Sequence, residues 1–580
     1  MAVFWVAEAL PLAITSLIPI FLLPIFGIMS TMKTAQAFVS GPTMLFIGAN
    51  VIALAIEKTN LHRRIAFRIL LTLGVRPKRL MLGFMLTSWF VSMWMCNTAT
   101  TSMLLPILES VLRQIEESGD GNNASGMTKH RSENMAEFEE PHKACCADGA
   151  KCITFDETRG TCSPPGLKRQ QEKDAREPVI VVYVARPDAA EGSDHGSVPV
   201  SQGYAKRDPE GFRKLAIGLT LSICYAANVG GVATINGAIP NMIMKGEADS
   251  QWQTNLGKNS PVNFTSWAAY GIPIALINLA FLWLWMNSFY LGIRSTFGCF
   301  SSEERNTEED KAVEAYLRRE HKKLGPVSVD QILVSMLLLT LVAFWVFREP
   351  GFMSGWADLF PTGYMVDATP AVLIGLLLFV IPANFTGSSG KGGTVPTLMD
   401  WDTMQRRFPW SVVMLMGGGF TLAKACGVSG LSKWIGTNLS IFDALPRWFM
   451  LFVILVLVAL LTEVTSNPAT CSLLMPIVVP LALCQLQLNP LYLMYPVCFA
   501  TSFAFMLPAA SPPNAIVFCY GRIKTSDMIK AGAIMNVICV AAVVLGTETW
   551  GMALFDLATP PWNGTATTCD MGGKSGMGGM

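Results

Sequence analysis

SMWMCNTATTSMLLPI (92–107) and TEVTSNPATCSLLMPI (462–477) are two copies of one pattern, set 370 residues apart. Without a gap, 7 of 16 positions are identical: Asn97/Asn467, Ala99/Ala469, Thr100/Thr470, Ser102/Ser472, Leu104/Leu474, Pro106/Pro476 and Ile107/Ile477. A second pair follows at a displacement of 273, GAIPNMI (237–243) against ASPPNAI (510–516), sharing Pro240/Pro513, Asn241/Asn514 and Ile243/Ile516. The two displacements differ by 97 residues, close to the length of a polar stretch spanning 114–211. Two halves therefore share one plan, and the first half carries an insert.

Both copies of the pattern lie in apolar surroundings. The 580 residues are 51% hydrophobic and 15% charged, with a mean hydropathy of +0.41. A soluble chain of this size carries more surface charge. The apolar residues fall in blocks of about 20, the length that crosses roughly 30 Å of hydrocarbon. The blocks lie near 2–29, 42–57, 80–113, 213–244, 266–292, 329–347, 370–383, 410–425, 447–485 and 490–556. The fold class is thus an all-α, polytopic membrane protein. No basic stripe interleaves with aromatics, which argues against a nucleic-acid partner. Fourteen cysteines are scattered along the chain, many inside apolar runs, unlike a disulfide framework.

Duplicated polar breaks in corresponding apolar segments mark the midplane site of an inverted-repeat transporter. An asparagine there cannot leave its amide unpaired in hydrocarbon. Unwound backbone exposes carbonyls that bind a cation, and the half-helix beyond it offers free N–H groups and a positive dipole end to an anion. The competing explanation is that these Asn, Ser and Gly residues only pack helices closely. Two matched pairs at consistent displacements weigh against it.

Charge placement orients the chain. Lys58, Arg63, Arg64, Arg68, Arg76, Lys78 and Arg79 follow the second apolar block, and Arg305, Lys311, Arg318, Arg319, Lys322 and Lys323 lie in a second polar insert, whereas 349–368 contains no Lys or Arg. The first two stretches are expected at the cytoplasmic side and the third outside. Asn563 in the tail and Asn263 are then the sequons placed for glycosylation. The expected organisation is 1–113, first repeat with its hairpin; 114–211, a mostly disordered cytoplasmic loop; 212–296, the rest of the first repeat; 297–328, a charged linker read as a solvated helix; 329–556, the second repeat; and 557–580, an extracellular tail. The expected location is the plasma membrane. Met1 opens onto apolar sequence without a basic n-region, which argues against a signal peptide and for a chain shortened at its N-terminus.

At this point the sequence resembles the divalent-anion/sodium symporters, the sodium-coupled dicarboxylate, citrate and sulfate carriers. SFAFMLPAASPPNAIVF (502–518) is similar to that family's signature, and EKTNLHRRIA (57–66), CYAANVGGVATINGAIPN (224–241), REPGFMSGWAD (348–358) and PWSVVMLMGGGFTLAKACGVSGLSKWIG (409–436) extend the likeness over nearly the whole chain. The resemblance implies a homodimer whose protomers each have a scaffold and a mobile transport domain, with two re-entrant hairpins and an elevator movement coupled to sodium ions. It places a first sodium site at Ser92, Cys96, Asn97 and Gly237, and a second at Thr462, Thr465, Asn467 and Ala510. Substrate falls between Asn97–Thr98 and Ser466–Asn467, near Ser511 and Pro512.

Three residues depart from the family pattern. Cys96 replaces a serine, so a hard oxygen ligand becomes a soft sulfur. Pro468 replaces a threonine and deletes a hydroxyl and an N–H. Ala238 stands where a threonine is common. Pro468 resembles the sulfate carriers, while Ser511-Pro512-Pro513-Asn514 is closer to the carboxylate carriers. The reading is sodium-coupled uptake of di- and tricarboxylates such as succinate and citrate, with sulfate transport or sodium-independent carboxylate exchange as alternatives. An enzyme needs a nucleophile, base or metal set inside the spans; neither HExxH nor GxSxG occurs. A channel needs a continuous filter, which the duplicated breaks argue against. Glu8 and Glu463 are ionisable groups in apolar segments, a functional signal, and for Glu463 a hydrogen-bonded structural carboxylate is an equal alternative.

Overall fold

The computed structural model describes residues 2–7, 9–117, 209–258, 260–292, 308–350, 353–361, 363–383, 396–431 and 446–561, with three short strands between 152 and 183. Glu8 and Asn563 lie outside the described residues. After short helices between Ala2 and Gln36, the first half runs α1 (Gly41–Lys58), α2 (Leu61–Leu73), α3 (Pro77–Ser92), α4 (Asn97–Glu117), α5 (Pro209–Gly231), α6 (Ile239–Leu256) and α7 (Phe264–Met286). The linker forms α8 (Glu308–Lys323). The second half comprises α9 (Val329–Val346), α10 (Ala368–Val380), α11 (Trp401–Arg407), α12 (Trp410–Val428), α13 (Arg447–Thr462), α14 (Asn467–Pro480), α15 (Leu491–Ala500), α16 (Pro512–Cys519) and α17 (Thr525–Gly546).

The duplication read from sequence reappears in the helix limits. A shift of 370 residues carries α3 onto α13 from end to end, and the first residue of α4 onto the first residue of α14. A shift of 273 carries the first residue of α6 onto that of α16. Chemistry sets these starts: α3 opens on Pro77, and Pro240, Pro468 and Pro512 sit in the first turns of α6, α14 and α16, where a missing N–H costs nothing. At 16 residues each, α3 and α13 are about 24 Å long, short of a bilayer crossing. Among the described residues, five helical stretches are long and apolar enough to cross, including Phe264–Leu291, Val329–Val346 and Thr525–Phe555.

Packing joins α3 to α5, α1 to α10 and α7 to α17. Small residues allow the closest approaches. A Cβ on Gly230 would stand 2.3 Å from the Trp89 carbonyl oxygen, and one on Gly48 2.6 Å from the Ala371 carbonyl carbon.

The basic segments collect at one end. Arg64, buried on α2, donates from Nε to Gln331 Oε1 (3.0 Å), from Nη1 to Gly325 O (2.9 Å), and from Nη2 to Leu324 O (2.9 Å) and Pro326 O (3.1 Å). From Gln331, which also donates to Thr59 O, α9 runs about 23 Å to Val346, whose carbonyl accepts from Thr265. At that far end lie Asn263 and a buried ion-pair cluster in which Arg348 Nε stands 2.9 Å from Asp367 Oδ1 and Lys245 3.7 Å from Asp367 Oδ2. The Arg64 anchor and the 349–368 stretch thus lie at opposite ends of α9.

Two expectations need correction. The insert, read as mostly disordered, contains a three-stranded antiparallel sheet in the order β2–β1–β3, with β1 (Cys152–Asp156) between β2 (Thr161–Ser163) and β3 (Ile180–Tyr183). CITFD and IVVY are short runs of β-branched and aromatic residues, favoured in strands, inside an otherwise polar stretch. Outside this small sheet every regular element among the described residues is a helix, as the sequence predicts. The linker helix α8 is not solvated all round: Val313 and Leu317 are buried, and the helix packs on α2 and α4.

Replacing Arg64 by Ala leaves four acceptors without a charged donor. The expected cost is about 3 kcal/mol, read as a lowered melting temperature of purified protein, while Arg68→Ala on the exposed face of α2 leaves melting unchanged.

Candidate functional site

In both halves a helix stops, four residues intervene, and the next helix begins on asparagine. At the first break Ser92 Oγ lies 2.5 Å from Asn97 Oδ1 and 2.8 Å from Ala227 O. At the second, Thr462 Oγ1 lies 3.0 Å from Asn467 Oδ1 and 2.9 Å from Thr501 O. A hydroxyl has one hydrogen, so it cannot satisfy both neighbours at once. Each cluster is thus three oxygens short of a proton: a hydroxyl, a side-chain amide oxygen and a backbone carbonyl. Such oxygens at an unwound break suit a sodium ion.

A second pair of breaks, 232–238 and 501–511, closes over these clusters. Asn241 Nδ2 donates to Gly231 O (2.8 Å) and Thr234 O (2.7 Å), and Asn514 Nδ2 to Ala504 O (2.9 Å) and Leu507 O (2.9 Å). The 273-residue shift maps both donors and both carbonyls onto each other. Folding the first break this tightly requires glycine. A Cβ on Gly237 would stand 2.5 Å from Gly231 O, and one on Gly231 2.6 Å from Asn97 Oδ1.

The tips are anchored by different chemistry. Thr234 Oγ1 donates to Met93 O at 2.6 Å. At the equivalent place Glu463, 2% exposed, accepts from the N–H groups of Phe505 (2.8 Å), Met506 (3.0 Å) and Leu507 (3.0 Å) and from Asn536 Nδ2 (2.8 Å). Of its two readings, the hydrogen-bonded structural carboxylate matches this cradle.

Of the residues anticipated for sodium, Ser92, Asn97 and Gly237 meet at the first break, and Thr462 and Asn467 at the second. Cys96 lies exposed at the first tip. Thr465 bonds instead to Thr470 Oγ1 and Leu461 O. Ala510 is buried, its N–H on Leu507 O. Of the residues anticipated for substrate, Thr98 is half-buried and Pro512 exposed. Ser466 and Ser511 are the N-cap residues of α14 and α16, yet neither hydroxyl caps its helix, and both are buried without a hydrogen-bond partner. Pro468 and Pro513 occupy the second helical position and remove one of the two N–H groups that such a cap can engage. Two buried hydroxyls are left for a ligand or water. At the far end Asn263 caps α7 through Ser266 N (2.8 Å) and donates to Glu349 O (3.4 Å).

Sequence reading missed Ala227, Asn228, Thr501 and Asn536. Asn228 Oδ1 accepts from Asn97 Nδ2 at 3.1 Å, and the 273-residue shift pairs Asn228 with Thr501, a signal present in the sequence. A cavity of about 430 Å³ reaches the first tip from the basic end, between Met95, Ala99 and Ser102 on one side and Lys58, His62 and Arg407 on the other. Burial, with Arg63 nearby and against the pull of a bond to Ile56 O, lowers His62 to about 4, so the ring is neutral. Burial would raise Asp400, but Lys58 and Thr403 hold it at about 2, and it stays paired to Lys58 at 2.6 Å.

The two halves interlock: α4 packs on α16, and α14 on α6. Duplicated breaks carrying equivalent oxygen clusters, in a helical membrane protein, define a secondary transporter. A family model described as the sodium:sulfate symporter transmembrane region matches residues 1–557. The chain is 37% identical over 581 residues to solute carrier family 13 member 1 of Mus musculus, covering 97% of this chain and 91% of the relative. It is 37% identical over 582 residues to solute carrier family 13 member 2 of Homo sapiens (98% and 90%). It is 33% identical over 578 residues to the Na(+)/citrate cotransporter of Rattus norvegicus (97% and 91%). The chain belongs to this family, the divalent-anion/sodium symporters; it is a multi-pass membrane transporter, not an enzyme.

Changing Glu463 to Gln puts an NH₂ group against N–H donors in the buried cradle. The expected loss is about 3 kcal/mol, seen as a lower melting temperature together with loss of uptake; an unshifted melt would show that the cradle does not need the carboxylate.

Proposed function

We propose that this protein carries di- and tricarboxylates such as succinate and citrate into the cell across the plasma membrane, in symport with sodium. The observation that supports this best is the repeated hydroxyl–amide–carbonyl cluster at Ser92/Asn97/Ala227 and Thr462/Asn467/Thr501. Sodium occupies the two clusters, with Gly237 contributing at the first, and Cys96, Thr465 and Ala510 lining their edges. The anion lies between Asn97–Thr98 and Ser466–Asn467, where the unpartnered hydroxyls of Ser466 and Ser511 and the helix starts beside Pro512 supply donors.

On this reading α3–α4 and α13–α14 are re-entrant hairpins, their first arms α3 and α13 too short to cross, in a transport domain that moves as an elevator against a scaffold built on α1, α9 and α10, within a homodimer. The domain limits follow the two repeats, 1–113 with 212–296 and 329–556, joined by the 114–211 insert and the 297–328 linker and ending in an external 557–580 tail. Glycosylation falls on Asn563 and, if its capping contacts yield, Asn263.

Pro468 favours a second reading, sulfate transport, because it withholds a hydroxyl and an N–H from a polydentate carboxylate. Exposed Cys96 at the tip leaves sodium-independent carboxylate exchange as a further variant. Uptake of labelled succinate, citrate and sulfate in sodium and in choline medium tests all three. Sodium-dependent carboxylate uptake is the expected result. Sulfate uptake alone would replace it with the second reading, and uptake indifferent to sodium with the third. Asn97→Ala and Asn467→Ala should each abolish uptake while surface expression persists; normal uptake in both sinks the site. Pro468→Thr, which restores the hydroxyl and N–H, should raise the ratio of carboxylate to sulfate uptake by about tenfold.

A further inference from the structure

Three thiols touch the framework of the breaks. Cys224 Sγ on α5 lies 2.9 Å from Asn514 Oδ1, and Cys498 Sγ on α15 lies 3.6 Å from Asn241 Oδ1. Each repeat thus donates an S–H to the asparagine that closes the other repeat's break. Cys471 on α14 adds a third contact, with Sγ 3.4 Å from Pro240 O. Pro240 and Asn241 are neighbours on the first turn of α6, so Cys471 and Cys498 converge there from two different helices. Both are fully buried, with their sulfurs on oxygens of two consecutive residues and beside each other.

Two adjacent thiols suit a narrow class of ligand. Among the described residues no group of three or more His, Cys, Asp or Glu side chains is placed to hold a metal ion, so a tetrahedral zinc site is not available. A soft, thiophilic centre satisfied by two sulfurs is. We propose that Cys471 and Cys498 form a dithiol site for trivalent arsenicals, and that filling it disorganises the first break. The relay is short. Cys498 holds the Asn241 amide oxygen, while the same amide's NH₂ holds Gly231 O and Thr234 O, which fold the chain so that Gly231 meets both Gly237 and Asn97. Access comes from the site itself, since Asn467 and Pro468, one turn before Cys471, are only half-buried.

The step balances without an oxidant. A phenylarsenoxide (R–As=O) takes two S–H groups, two As–S bonds form, and the arsenyl oxygen leaves with both protons as water. Arsenic stays trivalent. The Asn241 amide oxygen loses its donor, because the Cys498 hydrogen has gone.

The test uses the full chain with Cys145 and Cys146, an adjacent pair in the polar insert, changed to Ser. Purified protein treated with phenylarsine oxide should gain one phenylarsenic group bridging the peptides that contain Cys471 and Cys498, and 2,3-dimercaptopropanol should remove it where an equal thiol concentration of 2-mercaptoethanol does not. Cys471→Ser should raise the concentration needed for labelling by roughly tenfold or more, the loss of a second, intramolecular bond, while Cys224→Ser leaves it unchanged. Labelling elsewhere, or equal labelling of Cys471→Ser, overturns the site. The functional consequence rests on the transport reading. In cells, phenylarsine oxide should block sodium-dependent uptake with the same dithiol reversal, and full labelling with undiminished uptake overturns the relay. If no variant transports any anion, the mass readout still decides the dithiol and the transport reading alone fails.

Discussion

Inside a bilayer an interrupted helix leaves carbonyls with no water to take them, and two buried amides answer that demand. Asn241 and Asn514 each span a pair of carbonyls across the break that precedes them. Because those carbonyls are tied down, the breaks hold a defined shape, and the oxygens left over point where a cation can use them. Gly231 approaches Asn97 and Gly237 only in that folded form. The helix starts at α4, α6, α14 and α16 follow from the same breaks, and with them the free N–H groups that an anion needs.

The duplication preserves geometry more faithfully than chemistry. At the first tip the hairpin offers a carbonyl, on Met93, and the break returns a hydroxyl, on Thr234. At the second tip the hairpin offers a carboxylate, on Glu463, and the break returns three N–H groups. Charge-assisted bonds are roughly twice as strong as neutral ones, so the second break is held the more firmly of the two. The helix starts differ in the same way. Ser466 and Ser511 keep unspent hydroxyls beside Pro468 and Pro513, whereas the first half has Cys96 and Ala238 where the second has those two serines. An anion between the halves meets hydroxyls chiefly from the second.

Much of this was legible in the sequence, because an inverted repeat writes its site twice. The pairs Asn97/Asn467 and Asn241/Asn514 pointed to the breaks, and the displacements of 370 and 273 recur between the helix starts. Ser92, Thr462 and Gly237 came from family likeness, and they lie at the breaks. The rest lay beyond sequence patterning for physical reasons. Ala227 contributes only a carbonyl, which every residue has. Arg64 looked like one more cytoplasmic cation, yet it is buried on carbonyls contributed some 260 residues away. Cys224 and Cys498 read as small apolar residues until the fold brought each to the other repeat's asparagine. The strand runs CITFD and IVVY were too short to stand out against the polar insert around them.

The central claim is that the two oxygen clusters bind sodium as equivalents. Its most direct test is the sodium-activation curve of anion uptake, measured alongside ²²Na flux, for wild type, Ser92→Ala and Thr462→Ala. Removing either hydroxyl should raise the sodium concentration for half-activation by about tenfold and make the curve less steep, with fewer sodium ions moved per anion. Curves that overlay wild type in both variants, at equal surface expression, would contradict the account.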